Sequence, residues 1–108
     1  MKSKYKIPWH VRQYVKTELM EYKDNKEKLE EVEEDTSTRE ILIVRKRIKQ
    51  IEKVLESLNK EDREAAELIF IKHYSQQKAE IEKGLSKDAF FNIKAKVIYL
   101  TAREMERI

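Results

Sequence analysis

An all-α fold is predicted by three features of this 108-residue sequence. Apolar residues recur at helical spacing through a charged background, which places them on stripes that a helix can bury. The segments with that spacing are separated by Ser, Thr, Asp and Asn residues that suit helix N-caps. The length fits one domain, or a small domain with an extension, and leaves no room for a large α/β enzyme. The predicted architecture is a long N-terminal helical hairpin followed by a C-terminal helix-turn-helix, with a division at residues 1–58 and 59–108.

Pro8 marks the first start, because its missing N–H and fixed φ cost little in an opening turn. Val11, Tyr14, Val15, Leu19, Tyr22, Leu29 and Val32 then predict one long helix over about residues 9–33, whose thin stripe suits a bundle or coiled-coil contact. Lys23–Lys28 contains no apolar residue, so a pause or fraying is expected there. Asp35, Thr36, Ser37 and Thr38 are candidate caps for a second helix reaching about Leu58. It sets Ile41, Leu42, Val44, Ile48, Ile51, Val54, Leu55 and Leu58 near one face. The β-branched residues at 41, 43, 44, 48, 51 and 54 lower its intrinsic propensity, so packing must hold it. Antiparallel pairing with the first helix is the expected arrangement.

Asn59 caps a third helix, with Glu61 and Asp62 near its positive end and Ala65, Ala66, Leu68, Ile69 and Tyr74 as packing residues. Ser75 offers the next cap, before a short helix Gln76–Lys83 bearing Ala79 and Ile81. Gly84, the one glycine, supplies a left-handed position without a Cβ penalty. Ser86 caps a final helix whose inner stripe is Phe90, Ile93, Val97, Leu100 and Met105. Phe90 and Phe91 are adjacent, so one narrow stripe cannot bury both. Phe90 is the core residue, and Phe91 either packs at a flank or faces a base methyl group. Trp9 is expected to anchor the N-terminus.

Composition excludes several kinds of chemistry. With no Cys, there is neither a disulfide scaffold nor a thiolate metal site. His10 and His73 lack ligand spacing and a neighbouring nucleophile or base, and are expected at helix surfaces or edges. One glycine cannot build a phosphate loop. Glu30, Glu31, Glu33, Glu34 and Asp35 form a repelling, solvated cluster rather than an acid–base pair. No enzyme activity, cofactor or metal is therefore expected. No apolar run approaches the roughly 18 residues of a membrane span, and none follows the basic N-terminus as a signal peptide requires. A location in the cytoplasm, without membrane partners, is expected.

Net charge is only +3, from 24 Lys and Arg against 21 Asp and Glu, but the distribution is uneven. Residues 1–16 carry five basic residues and no acidic one, residues 17–35 carry nine acidic residues and three Lys, and residues 36–50 set five basic residues against Glu40. An acidic segment followed by a basic one fits two helices facing each other. It equally fits a basic face that meets phosphates.

The unit that points to a function is a short helix, a glycine turn and a capped helix with apolar residues four and seven positions after the cap. Gly84, Leu85, Ser86, Phe90 and Ile93 meet that description. In a helix-turn-helix the glycine permits the bend, the next apolar residue plugs the angle, and the later pair anchors the recognition helix. Lys87, Asp88, Phe91, Asn92, Lys94, Ala95 and Lys96 are then the pool of exposed residues. Asn92 could read adenine, and Lys87, Lys94 and Lys96 could meet guanine edges or phosphates. Two positions depart from the pattern. Ala79 is a small plug, and Lys83 stands where an apolar residue usually turns inward. Either Ile81 packs in its place, or Lys83 lies along the core edge with its charge in water.

The stretches LNKEDR (Leu58–Arg63) and GLSKDAFFNIKAKVIYL (Gly84–Leu100), with Thr101 and Ala102 after them, resemble phage late-transcription activators of the RinA and ArpU type. The C-terminal part of those proteins looks like region 4 of a bacterial sigma factor. The first helix, with Val15, Leu19 and Tyr22, is also similar. The resemblance covers most of the chain. It implies sequence-selective DNA binding at a phage promoter, activation of late genes in a bacterial host cell, and a recognition helix beginning at Ser86.

The predicted DNA contacts are Lys87, Asp88, Phe91, Asn92, Lys94 and Lys96, with phosphates met by basic N-terminal residues or by the Arg45, Lys46 and Arg47 cluster. Double-stranded DNA is the expected partner, with RNA polymerase and a second copy of the chain as further candidates. The alternatives are a packaging or assembly protein similar to a small terminase subunit, and a helical protein-interaction module.

Overall fold

The structure, a computed structural model, describes residues 5–33 and 37–108. These residues contain no strand. In chain order the helices are α1 (Trp9–Met20), α2 (Tyr22–Glu30), α3 (Arg39–Ser57), α4 (Lys60–Ala66), α5 (Gln76–Lys83) and α6 (Lys87–Glu104), with one π-helical turn at Glu67–Ile71 running on from α4. No helix among the described residues is long and apolar enough to cross a membrane.

Capping defines most of the helix starts. The side chains of Thr38, Asn59, Ser75 and Ser86 each accept a hydrogen bond from the backbone N–H three residues on, at 3.4, 2.8, 3.2 and 3.1 Å. Each satisfies one of the donors that a first turn leaves unpaired. Of the other cap candidates for α3, Asp35 and Thr36 lie outside the described residues. The far end of α3 is closed from a distance. The Arg63 guanidinium donates to the carbonyls of Leu55, Glu56 and Leu58 at 3.1 to 3.4 Å, meeting the orphan acceptors of a C-terminus with a positive charge.

The predicted single first helix is two helices. Glu21 (φ −89°, ψ −3°) separates them, although backbone bonds continue on either side, from Glu21 N–H to the Thr17 carbonyl and from Asn25 N–H to the Glu21 carbonyl. The break falls where the apolar stripe changes partner: α1 packs on α6 while α2 packs on α3. The apolar-poor stretch Lys23–Lys28, where a pause was expected, is helical within α2.

Contacts set the direction of α2 along α3. The Tyr22 hydroxyl donates to Glu52 Oε2 at 2.7 Å, Lys26 Nζ donates to the same oxygen at 2.9 Å, and Arg45 reaches the Glu33 carbonyl. The start of α2 thus lies beside the later half of α3, and the chain after α2 lies beside its beginning. In α3, Ile48, Ile51 and Val54 are buried. Leu42 does not join them, contrary to expectation, and is 51% exposed.

The long α6 lies against α1, α3 and α4 and buries Phe90, Ala95, Val97, Ile98, Thr101 and Ala102. The apolar stripe expected from Phe90, Ile93, Val97, Leu100 and Met105 is only part of this surface, because small Ala95 and Ala102 let other helices approach on further sides. Among the described residues Thr101 is the one buried polar residue, and its hydroxyl donates to the Val97 carbonyl at 2.7 Å. One hydrophobic cluster contains Val15, Leu19 and Ile51 together with Ala65, Phe70, Phe90 and Val97, so the core joins residues from both sides of Leu58.

Candidate nucleic-acid interface

The corner between α5 and α6 is made by local chemistry. Gly84 adopts φ 64°, ψ 32°. Its N–H donates to the Ile81 carbonyl, and the Leu85 N–H donates to the Glu80 carbonyl at 3.1 Å. This paired closure satisfies two C-terminal acceptors of α5 and turns the chain sharply. Leu85 and Ile93 are half-buried against the core, and Phe90 is completely buried.

The two departures in α5 are resolved by its orientation. Ala79 is fully buried whereas Ile81 is 78% exposed, so Ile81 does not pack in place of the inward residue. Lys83 instead turns toward α4 and ion-pairs with Glu64. Its stem is largely covered while its ammonium keeps a charged partner, which is how a lysine can occupy a core edge. That pairing holds the Glu64 carboxyl below the usual glutamate range.

Four predicted contacts gather on one face at the start of α6. Lys87, Asp88, Phe91 and Asn92 are exposed, and with Gln76 of α5 they line a cleft of about 300 Å³. Their spacing places them on adjoining turns of the same side of the helix. Phe91 is 42% exposed and forms a wall of this cleft.

Phe91 also borders a second cleft, of about 250 Å³, between α6 and α1, lined by Trp9, Arg12, Gln13, Lys16, Lys94 and Ile98 as well. The Arg12 guanidinium lies over the Phe91 ring, 5.8 Å from its centroid. Lys94 is half-buried and donates to Gln76 Oε1 at 3.4 Å. Burial, and then the nearby Lys16 and Arg12 charges, push the Lys94 ammonium below the usual lysine range. Among the described residues no carboxylate is within ion-pairing distance of Arg12, Lys16 or Lys94.

The remaining predicted contacts are placed elsewhere. Ala95 is buried and so leaves the exposed pool. Lys96 is turned to the other side of α6, where it ion-pairs with Asp62 Oδ2 at 3.1 Å. Arg47 donates to the Tyr14 hydroxyl and to Gln50 Oε1, both at 3.1 Å, and thereby ties α3 to α1. Arg45 reaches the Glu33 carbonyl, while Lys46 is exposed. Arg45 and Lys46 share a broad depression with Glu104, on the last turn of α6, about 25 Å along the axis from Lys87 at 1.5 Å per residue. The basic cluster of α3 and the exposed start of α6 therefore sit toward opposite ends of that helix.

Trp9, expected to anchor the N-terminus, is 74% exposed, and with Arg12 and Lys16 it lines the second cleft. The legible signal for these residues was the lack of any acidic residue in 1–16. It did not say which basic residues of that run would meet α6. His10 and His73 are exposed, and no group of three or more His, Asp or Glu among the described residues is placed to hold a metal ion. Comparison with family models, curated proteins and solved structures finds no match to this chain.

Proposed function

We propose that this protein is a sequence-selective regulator that binds duplex DNA, with α5, the Gly84 turn and α6 as its helix-turn-helix. The observation that carries this reading is the capped start of α6, which presents Lys87, Asp88, Phe91 and Asn92 to solvent on one face while Phe90 fixes the helix in the core. A helix offered in this way fits the major groove, where base edges are distinguishable. Asn92 has the paired donor and acceptor that adenine requires, Lys87 suits guanine or a phosphate, Asp88 can accept from cytosine, and Phe91 can contact the thymine methyl. In this reading α1, α2 and α3 form the helical hairpin that supports the reading head. The resemblance to late-transcription activators of the RinA and ArpU type extends the proposal to activation of phage late genes, with RNA polymerase as a partner and a second copy of the chain supplying the other half-site.

The test is selection of bound duplexes from a random DNA pool with purified protein. A consensus bound at least roughly a thousandfold better than random duplex is expected. Replacing Asn92 with Ala should relax the preference at one position, at a cost of about 1–3 kcal/mol. Recovery of no consensus at low salt would overturn the reading.

A further inference from the structure

We infer that the cleft between α1 and α6 is a phosphate seat for the DNA backbone, in which Arg12, Lys16 and Lys94 together hold a phosphodiester beside the groove that α6 reads. The inference rests on the DNA-binding reading above and adds to it a second contacting element, α1, and the kind of group that α1 takes.

Three observations converge. First, the cleft brings together three cations from two helices with no carboxylate among the described residues in ion-pairing distance. Arg12 and Lys16 stand four residues apart on α1, where like charges repel, and Lys94 is half-buried between them and α5. Lys83 and Lys96, the other partly buried lysines among the described residues, both have carboxylate partners, whereas Lys94 has none. An anion seated there would relieve the repulsion and supply the missing countercharge. The downward push on the Lys94 ammonium, which comes from burial and from those same neighbours, has the same origin.

Second, the walls suit a phosphodiester. Phe91 and Ile98 line the cleft beside the cations. Apolar walls exclude water and strengthen the attraction between charges inside them. Arg12 brings a planar fork that can grip two phosphate oxygens, whereas Lys16 and Lys94 act as point charges. Third, the cleft is continuous with the reading face. Phe91 is a wall both of this cleft and of the one formed by Lys87, Asp88 and Asn92. A strand edge followed by α6 would therefore pass directly over Arg12 and Lys16.

The experiment uses the full chain and a short random-sequence DNA duplex, with binding followed by anisotropy across a salt titration. A double variant Arg12→Gln, Lys16→Gln is compared with Lys23→Gln, Lys28→Gln, which removes the same charge from exposed positions of α2. Each phosphate contact contributes about 0.9 to the slope of log affinity against log salt, so the first variant should lower that slope by about two. The second should leave it nearly unchanged. Circular dichroism melting shows that both variants fold. Trp9, the one tryptophan, lines the cleft, and its emission should change as duplex is added but much less with inorganic phosphate at the same phosphate concentration. Wild-type protein that binds no duplex would overturn the DNA reading itself. Binding with equal slope losses in the two variants, or with unchanged Trp9 emission, would overturn the phosphate seat and leave the reading of α6 standing. A Trp9 response to a polyglutamate peptide and not to duplex would show that the cleft takes acidic protein, and would likewise overturn it.

Discussion

Gly84 holds a left-handed backbone (φ 64°), and a Cβ built on it would meet no atom within 4 Å. Replacement by Ala is therefore opposed by backbone conformation alone and should destabilise the protein by about 1–2 kcal/mol. Asn should cost less, because its side chain tolerates the left-handed region better. Urea denaturation of the two variants checks this, and an Ala penalty no larger than the Asn penalty would contradict it. This residue and the cap at Ser86 were legible in the sequence because their bonds close within five residues along the chain. Lys83 was legible only as a misfit. Its partner Glu64 lies on another helix, and nothing in the local pattern distinguishes that carboxylate from any other on the surface.

Between elements, the clearest polar joint is the triad of Tyr22, Lys26 and Glu52 that fastens α2 to α3. Hydrogen bonds from Lys26 and then Tyr22 lower the Glu52 carboxyl below its ordinary range. Glu52 chiefly raises Lys26, and burial, followed by the bond to Glu52, raises Tyr22. A carboxyl lowered in the folded state stabilises the fold at pH values above its unfolded range, and that contribution is lost as pH falls through its folded value. Lys26, raised in the folded state, contributes below its unfolded value and loses the contribution as pH rises through the folded one.

The joint is partly exposed, which limits its worth to less than about 1 kcal/mol. Melting temperature should consequently fall between about pH 6 and pH 3, and Glu52→Gln should remove part of that fall. An acid limb identical in the variant would refute the assignment. At this scale the sequence revealed most of the helix starts but not which helix each would touch. The break at Glu21 illustrates the difference, since α1 and α2 continue one periodic stripe yet pack on α6 and α3 respectively.

For the whole molecule, α6 is the piece about which the others assemble, and its completely buried Phe90 belongs to the same cluster as residues of α1, α3 and the π turn. Truncation of Phe90 to Ala should cost about 3–5 kcal/mol, through lost transfer energy and the cavity left behind. Because one core joins residues from both sides of Leu58, unfolding should be a single transition. Trp9 fluorescence and far-ultraviolet circular dichroism should then give the same midpoint, in wild type and in the variant if it remains folded. Separate midpoints would show that residues 1–58 and 59–108 unfold independently.

The all-helical class, the caps at Thr38, Asn59, Ser75 and Ser86, and the glycine turn were determined by the sequence itself, because periodicity and capping act over a few neighbouring residues. Only the tertiary structure decided the fate of the charges. Lys94 and Lys96 are two residues apart on α6, yet one stands beside Arg12 and Lys16 and the other pairs with Asp62. Arg47, expected to meet phosphate, braces Tyr14 instead. A charged side chain at a helix surface suits water, a carboxylate, an aromatic ring or a phosphate, and the neighbouring helix, brought there by apolar packing from far along the chain, determines which of these it meets.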